Sequence, residues 1–101
     1  MQYVLHLSNY SNRKNPFGIL RGYALARTKG LEKPLLIAGN GWRESTYVTK
    51  LIDELELWPY VQFFGFVEDS ALAELYSNAF AFLFPSFYEG FGMPIIEAQA
   101  T

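Results

Sequence analysis

Apolar positions along the chain gather in short runs separated by longer stretches with helical spacing. Residues 3–7 (YVLHL), 34–38 (PLLIA), 61–64 (VQFF) and 80–84 (FAFLF) are nearly continuous apolar runs. Runs this short, closed by glycine or polar clusters, predict buried strands. Behind an Asn15-Pro16 start, Ile19, Leu20, Tyr23, Ala24 and Arg27 recur at helical intervals, and Gly30 supplies the stop. Tyr47, Val48, Leu51, Ile52 and Leu55 mark a second amphipathic helix over about 44–55. A third, capped by Asp69, would bury Leu72, Leu75, Tyr76 and Ala79.

Strands that alternate with helices predict βαβ units and a parallel sheet with right-handed crossovers. The expected fold class is α/β, a Rossmann-like parallel sheet with flanking helices. After the fourth strand the chain reads FPSFYEGFGMPIIEA over residues 84–98. Pro94 suits a first helical position, so a glycine-rich turn followed by a helix is predicted there. Free N–H groups at such a helix start attract phosphate. The pattern stops within that helix, so residues 1–101 read as one domain, the leading part of a doubly wound unit.

Composition narrows the function classes. The chain has 101 residues, half of them apolar, and a net charge of −2. This fits one soluble globular domain and gives no reason to expect nucleic acid as a partner. It has no cysteine, which removes disulfides and thiolate metal sites and fits a cytoplasmic location. Neither a signal peptide nor a membrane-spanning run is visible.

In an open α/β sheet, ligands bind beyond the carboxyl ends of the strands, where strand order reverses. With the common order 3-2-1-4, the reversal lies between the first and fourth strands. The loop after the first carries Arg13 and Lys14, and the loop after the fourth carries Glu89. A basic pair and an acid therefore converge on one crevice. Each also has a plainer reading: solvated charges for Arg13 and Lys14, an exposed turn for Glu89, and a helix-dipole partner for Glu97. Gly39-Asn40-Gly41 lacks the third glycine of a dinucleotide fingerprint and reads as a turn. His6 reads as a core histidine, and Trp42 and Trp58 as packing anchors.

Taken together, the residues resemble the carboxy-terminal, donor-binding half of a retaining family-4 glycosyltransferase of GT-B architecture. The likeness runs through Arg13-Lys14-Asn15, LLIAGNG at 35–41, FFGFV at 63–67, the Leu72 to Tyr76 helix and PSFYEGFGMPIIEA at 85–98. The last block resembles the family's two-glutamate motif, with seven residues between Glu89 and Glu97.

The resemblance implies a donor domain that binds a nucleotide-diphosphate sugar. It also implies transfer of a hexose, mannose among the candidates, with retention onto a glycan or lipid-linked acceptor. Glu89 would contact the sugar hydroxyls, and the backbone from Gly90 through Phe91, Gly92 and Met93 would approach sugar and diphosphate. Glu97 would hold the ribose, Lys14 and Arg13 would neutralise the diphosphate, and Phe66 and Val67 would lie near the base. Neither cofactor nor metal is expected. The acceptor site would lie in an amino-terminal domain missing from this chain, and peripheral membrane association of the full-length enzyme stays open. Ser8-Asn9 stand where many relatives carry Gly-Arg, so the first diphosphate contact would either be weaker or be replaced by Arg13. The alternative is a non-catalytic module that binds a nucleotide or nucleotide sugar.

Overall fold

The computed structural model describes residues 2–11, 15–87 and 94–98. In chain order these form β1 (Tyr3–Leu7), α1 (Pro16–Thr28), β2 (Leu35–Ala38), α2 (Thr46–Glu54), β3 (Val61–Phe64), α3 (Asp69–Ser77), β4 (Ala79–Phe87) and β5 (Pro94–Ala98). A 3-10 turn at Trp58–Tyr60 leads into β3. The sheet order is β3-β2-β1-β4-β5. The first four strands are parallel, with Val4 opposite Leu35 and Leu35 opposite Val61. The α/β architecture is thus the one expected, and the reversal of strand order falls between β1 and β4.

Alternation along the strands gives the sheet two faces. Val4, Leu35, Ile37, Val61, Ala81 and Leu83 point to the first, under Ile19, Leu20 and Tyr23 of α1 and Val48, Leu51 and Ile52 of α2. Leu5, Leu36, Ala38 and Ala79 belong to the second, where Leu75 and Val67 pack against them.

Local chemistry explains where the helices begin. Asn15 adopts the left-handed region at φ 53° and its side chain accepts from the Gly18 N–H at 3.1 Å. Pro16 then needs no donor at the first helical position. A Cβ at Gly18 would overlap the Asn15 amide, so a larger residue there would displace the capping side chain. The second helix starts two residues later than expected, because the Ser45 hydroxyl caps it by accepting from the Val48 N–H at 3.2 Å. At α3 the cap position is Glu68, with no side-chain cap bond, and Asp69 is already helical. Tyr47, expected on the buried face of α2, is 49% exposed.

The helix expected from Pro94 does not form. Residues 94–98 are a strand, antiparallel to β4, with Phe82 opposite Glu97 and Leu83 opposite Ile96. Two forces oppose a helix here. Ile95 and Ile96 are consecutive β-branched residues, which lose rotamer freedom in a helix and suit a strand. The outer edge of β4 also offers unpaired N–H and C=O groups that a neighbouring strand satisfies at once.

Candidate functional site

The carboxyl ends of β1, β2 and β3 are joined into one rigid edge. The Ser8 N–H donates to the Ala38 carbonyl at 3.0 Å and the Tyr10 N–H to Asn40 at 2.8 Å. The Asn40 N–H donates to the Asn9 side chain at 2.9 Å. The Gly39 N–H donates to Phe64 and Gly65 carbonyls at 3.0 and 3.1 Å. Gly39 sits at φ +129°, and a Cβ on it would overlap the Ser8 carbonyl. Glycine is therefore obligatory for this close approach. The turn reading of Gly39-Asn40-Gly41 holds, and the turn also docks one loop onto another.

Trp42 secures the same edge from beneath. It is 1% exposed, and its indole N–H donates to the Ser8 carbonyl at 2.8 Å. The rings of His6 and Tyr10 stand nearly perpendicular to it, each with its centroid 5.3 Å away. Its role as a packing anchor is thereby explained. Trp58, by contrast, is 44% exposed and touches Phe63 edge-on.

His6 ties the two strands that flank the reversal. It is 2% exposed. Its Nδ1 lies 2.9 Å from the Leu83 carbonyl of β4 and its Nε2 lies 2.8 Å from the Ser8 hydroxyl. A carbonyl can only accept, so Nδ1 carries the proton, and in the neutral ring Nε2 accepts from Ser8. This is the core histidine that the sequence suggested, and it holds the Ser8 hydroxyl just past the carboxyl end of β1.

Beside this edge lies a groove of about 200 Å³ lined by Gly39, Asn40, Gly41, Arg43, Glu44, Phe63, Phe64 and Gly65. Arg43 and Glu44 occupy the turn before α2, and both are exposed. The Arg43 guanidinium stands 5.9 Å from the Phe63 ring centroid. Neither residue was singled out from the sequence. The signal was present as two opposite charges straight after a glycine turn at a strand's carboxyl end, but the helical periodicity absorbed Glu44 into α2.

Of the residues singled out from the sequence, Arg13, Lys14, Glu89, Gly90, Phe91, Gly92 and Met93 lie outside the described residues. The backbone of Glu97 lies in β5, level with Phe82. Phe66 is 74% exposed just past the end of β3. Val67 is half-buried and lines a second groove of about 230 Å³ beneath α3, with Tyr3, Phe64, Ala71, Glu74, Leu75 and Asn78. Burial pushes the Tyr3 hydroxyl above its ordinary pKa, and the Glu74 carboxylate adds to the rise. Among the described residues, no helix is long and apolar enough to cross a membrane.

Comparison with known proteins matches the family described as glycosyl transferases group 1 over residues 2–101. The chain is 36% identical to the O-antigen chain mannosyltransferase B of Escherichia coli, over 97% of the chain and 26% of that protein. It is 44% identical over 52% of its length to the O-antigen chain mannosyltransferase RfbU of Salmonella typhimurium, covering 15% of that protein. It is 30% identical to the serotype-specific mannosyltransferase WbdA of Escherichia coli, over 97% of the chain and 12% of that protein. The chain thus spans about a quarter or less of the length of these relatives. No solved structure matches significantly.

Proposed function

This chain belongs to the group 1 glycosyl transferases, and from that premise we propose that it is the donor-binding half of a retaining hexosyltransferase that uses a nucleotide-diphosphate sugar. The observation that carries the proposal is the interlocked carboxyl edge of β1, β2 and β3, beside the reversal between β1 and β4, where α1 begins after β1. Such an edge holds a ligand without reorganising, and a helix N-terminus favours a diphosphate. The names of the mannosyltransferase relatives make mannose the favoured sugar, and a polysaccharide or lipid-linked glycan the favoured acceptor. That acceptor would be held by a second domain outside this chain.

In this reading Lys14 and Arg13 neutralise the diphosphate, and Glu89 holds the hydroxyls of the transferred sugar. The backbone of residues 90–93 approaches the sugar and diphosphate, Glu97 binds the ribose, and Phe66 and Val67 flank the base. The acceptor hydroxyl attacks the anomeric carbon from the face that the diphosphate leaves. Its oxygen forms the new C–O bond as the sugar–phosphate C–O bond breaks, and the proton passes to the departing phosphate oxygen. Positive charge at the leaving group lowers the barrier by stabilising charge that develops only in the transition state. No metal has a part in the scheme.

The test is turnover of the full-length protein with GDP-mannose and other nucleotide sugars. Glu89→Gln and Lys14→Ala should each lower kcat by about tenfold or more, as loss of one electrostatic contact in a transition state does. Near-wild-type rates in both variants would remove these residues from the mechanism. Nucleotide binding without transfer in the wild type would leave a binding module.

A further inference from the structure

The donor reading uses the reversal between β1 and β4 without saying what sets its spacing. We propose that His6 is a positioning residue for the donor. Its buried imidazole braces the carboxyl ends of β1 and β4 and fixes Ser8, the first residue of the loop between β1 and α1. The inference rests on the donor reading, since the brace serves binding only if a ligand lies at that reversal.

The ladder between the two strands stops early. β1 pairs with β2 from Val4 opposite Leu35 to Leu7 opposite Ala38. Toward β4 the register shifts after Tyr3 and, among the described residues, runs only to Leu5 opposite Phe82. His6 and Leu7 are therefore paired on the β2 side alone. Strands that part at a reversal open the space that ligands of such sheets occupy. At the point of parting, the His6 Nδ1–H reaches the Leu83 carbonyl of β4 at 2.9 Å. A side chain takes over where the backbone rungs end.

The other ring nitrogen acts on the loop. Nε2 lies 2.8 Å from the Ser8 hydroxyl, which donates to it when Nδ1 carries the proton. The Ser8 N–H is bound to the Ala38 carbonyl, and the Ser8 carbonyl to the Trp42 indole N–H. All three polar groups of Ser8 are thus held. Asn9 and Tyr10 are bonded to Asn40, on the β2 side. The imidazole adds a tie on the β4 side, and the Trp42 ring, edge-on at 5.3 Å, limits its rotation.

Stability alone does not call for a histidine here. At 2% exposure both ring nitrogens need partners, and a missed bond would cost more than an apolar side chain ever gives up. The neighbouring core residues of β1 and β4, Val4, Ala81 and Leu83, are apolar and buried. A leucine or phenylalanine would satisfy the packing. What the imidazole adds is direction. It offers a donor on one side of a flat ring and an acceptor on the other, which sets spacing and orientation together. Displacing a binding group by about 1 Å can cost about a hundredfold in rate, even when the change lies far from the chemistry. A buried brace prevents such displacement without touching the ligand.

The experiment compares His6→Phe, His6→Asn and His6→Gln in the full-length protein. Each is studied by calorimetric titration with GDP and UDP, by turnover of GDP-mannose and other nucleotide sugars, and by urea unfolding. Phenylalanine keeps a ring beside Trp42 and removes both bonds. Asparagine places an amide N–H near the Nδ1 position, so it serves Leu83 and not Ser8, and glutamine does the reverse. His6→Phe should weaken the diphosphate and raise the donor KM about fivefold or more, the weight of one or two hydrogen bonds. Its kcat should stay within about twofold, a split that reports lost binding geometry and not lost chemistry. His6→Asn should recover most of the loss and His6→Gln little of it, because the spacing of the strands outweighs the tie to Ser8. Lower stability with an unchanged donor KM would make His6 merely structural and overturn the inference. So would equal KM values in the Asn and Gln variants, a contrast that decides the matter even if His6→Phe does not fold. In these outcomes the wild type still binds and transfers, and the donor reading stands. A wild type that binds neither diphosphate and transfers no sugar overturns both.

Discussion

The two faces of the sheet are built to different standards. On the first, Val4, Ile19, Leu20, Tyr23, Leu35, Ile37, Val48 and Ile52 are all fully buried, at 0% exposure. On the second, Leu5 and Ala38 are equally inaccessible, yet α3 buries none of its own residues. Phe64 and Tyr76 stay 46% and 42% exposed. The first face is a closed core between sheet and helices, whereas the second is a sheet surface with one loosely seated helix. Since burial of apolar area supplies most of the folding free energy, stability should concentrate on the first face. The carboxyl edge is fastened to that face through Trp42 and His6, which gives the candidate site a rigid base.

The sharpest break of this comparison is Trp42→Ala against Leu75→Ala. Removing the indole opens a cavity and leaves the Ser8 carbonyl without its 2.8 Å donor, a loss of about 3–5 kcal/mol. Leu75 is only half-buried on α3, so its truncation should cost about 1–2 kcal/mol. Urea unfolding of the two variants checks both numbers. Comparable losses would mean that the second face is as much a core as the first.

A pair of glycines gives the next contrast. Gly39 and Gly30 both have positive φ, at +129° and +108°. At Gly30 a Cβ would meet nothing within 4 Å, so Gly30→Ala carries only backbone strain, about 1 kcal/mol. At Gly39 the same methyl collides with the Ser8 backbone, and the loop must move. Gly39→Ala should cost about 2–3 kcal/mol and also weaken nucleotide binding, while Gly30→Ala leaves binding unchanged. Thermal unfolding and the calorimetric titration together separate strain from loss of the edge.

What could be read from the sequence follows the same division. Strand identity and the buried faces of α1 and α2 were legible because apolar periodicity on a closed face is a strong signal, whereas the strand order came from the common pattern of such sheets and not from these residues. Tyr47 escaped it, since helical spacing cannot tell a residue at the border of the buried stripe from one at its centre. The strand at residues 94–98 escaped it too, because Pro94 announces a helix start while Ile95 and Ile96 accept the open edge of β4. Arg43 and Glu44 became candidates only in three dimensions. They share a groove with Phe63 and Gly65, some twenty residues further on, and no local pattern reports that meeting. Arg27 is a similar case. Helical spacing placed it on α1, but its guanidinium stacks 3.4 Å from the Tyr60 ring centroid, which joins α1 to the turn before β3.

The finest test of the two faces uses their tyrosines. Tyr23 lies in the closed core and donates to the Lys33 carbonyl at 2.7 Å, and Tyr3 lies under α3 and donates to the Leu75 carbonyl at 2.6 Å. Burial raises both pKa values above the ordinary 10.0. The Glu74 carboxylate adds to the rise at Tyr3, whereas the Arg27 side chain opposes it at Tyr23. A hydroxyl with a raised folded pKa keeps its proton longer in the native state than in the unfolded chain. Its contribution is therefore complete below about pH 10 and is lost as pH climbs through the folded value. Tyr23→Phe and Tyr3→Phe should each cost about 1 kcal/mol at neutral pH. Each should also flatten the alkaline fall in melting temperature. If the faces differ as the burial indicates, the flattening is larger for Tyr23, whose surroundings cannot open to hydrate a phenolate. On the second face a small displacement of α3 lets water in, so Tyr3 should ionise with less loss of structure. An equal flattening in both variants would show α3 seated as firmly as α1.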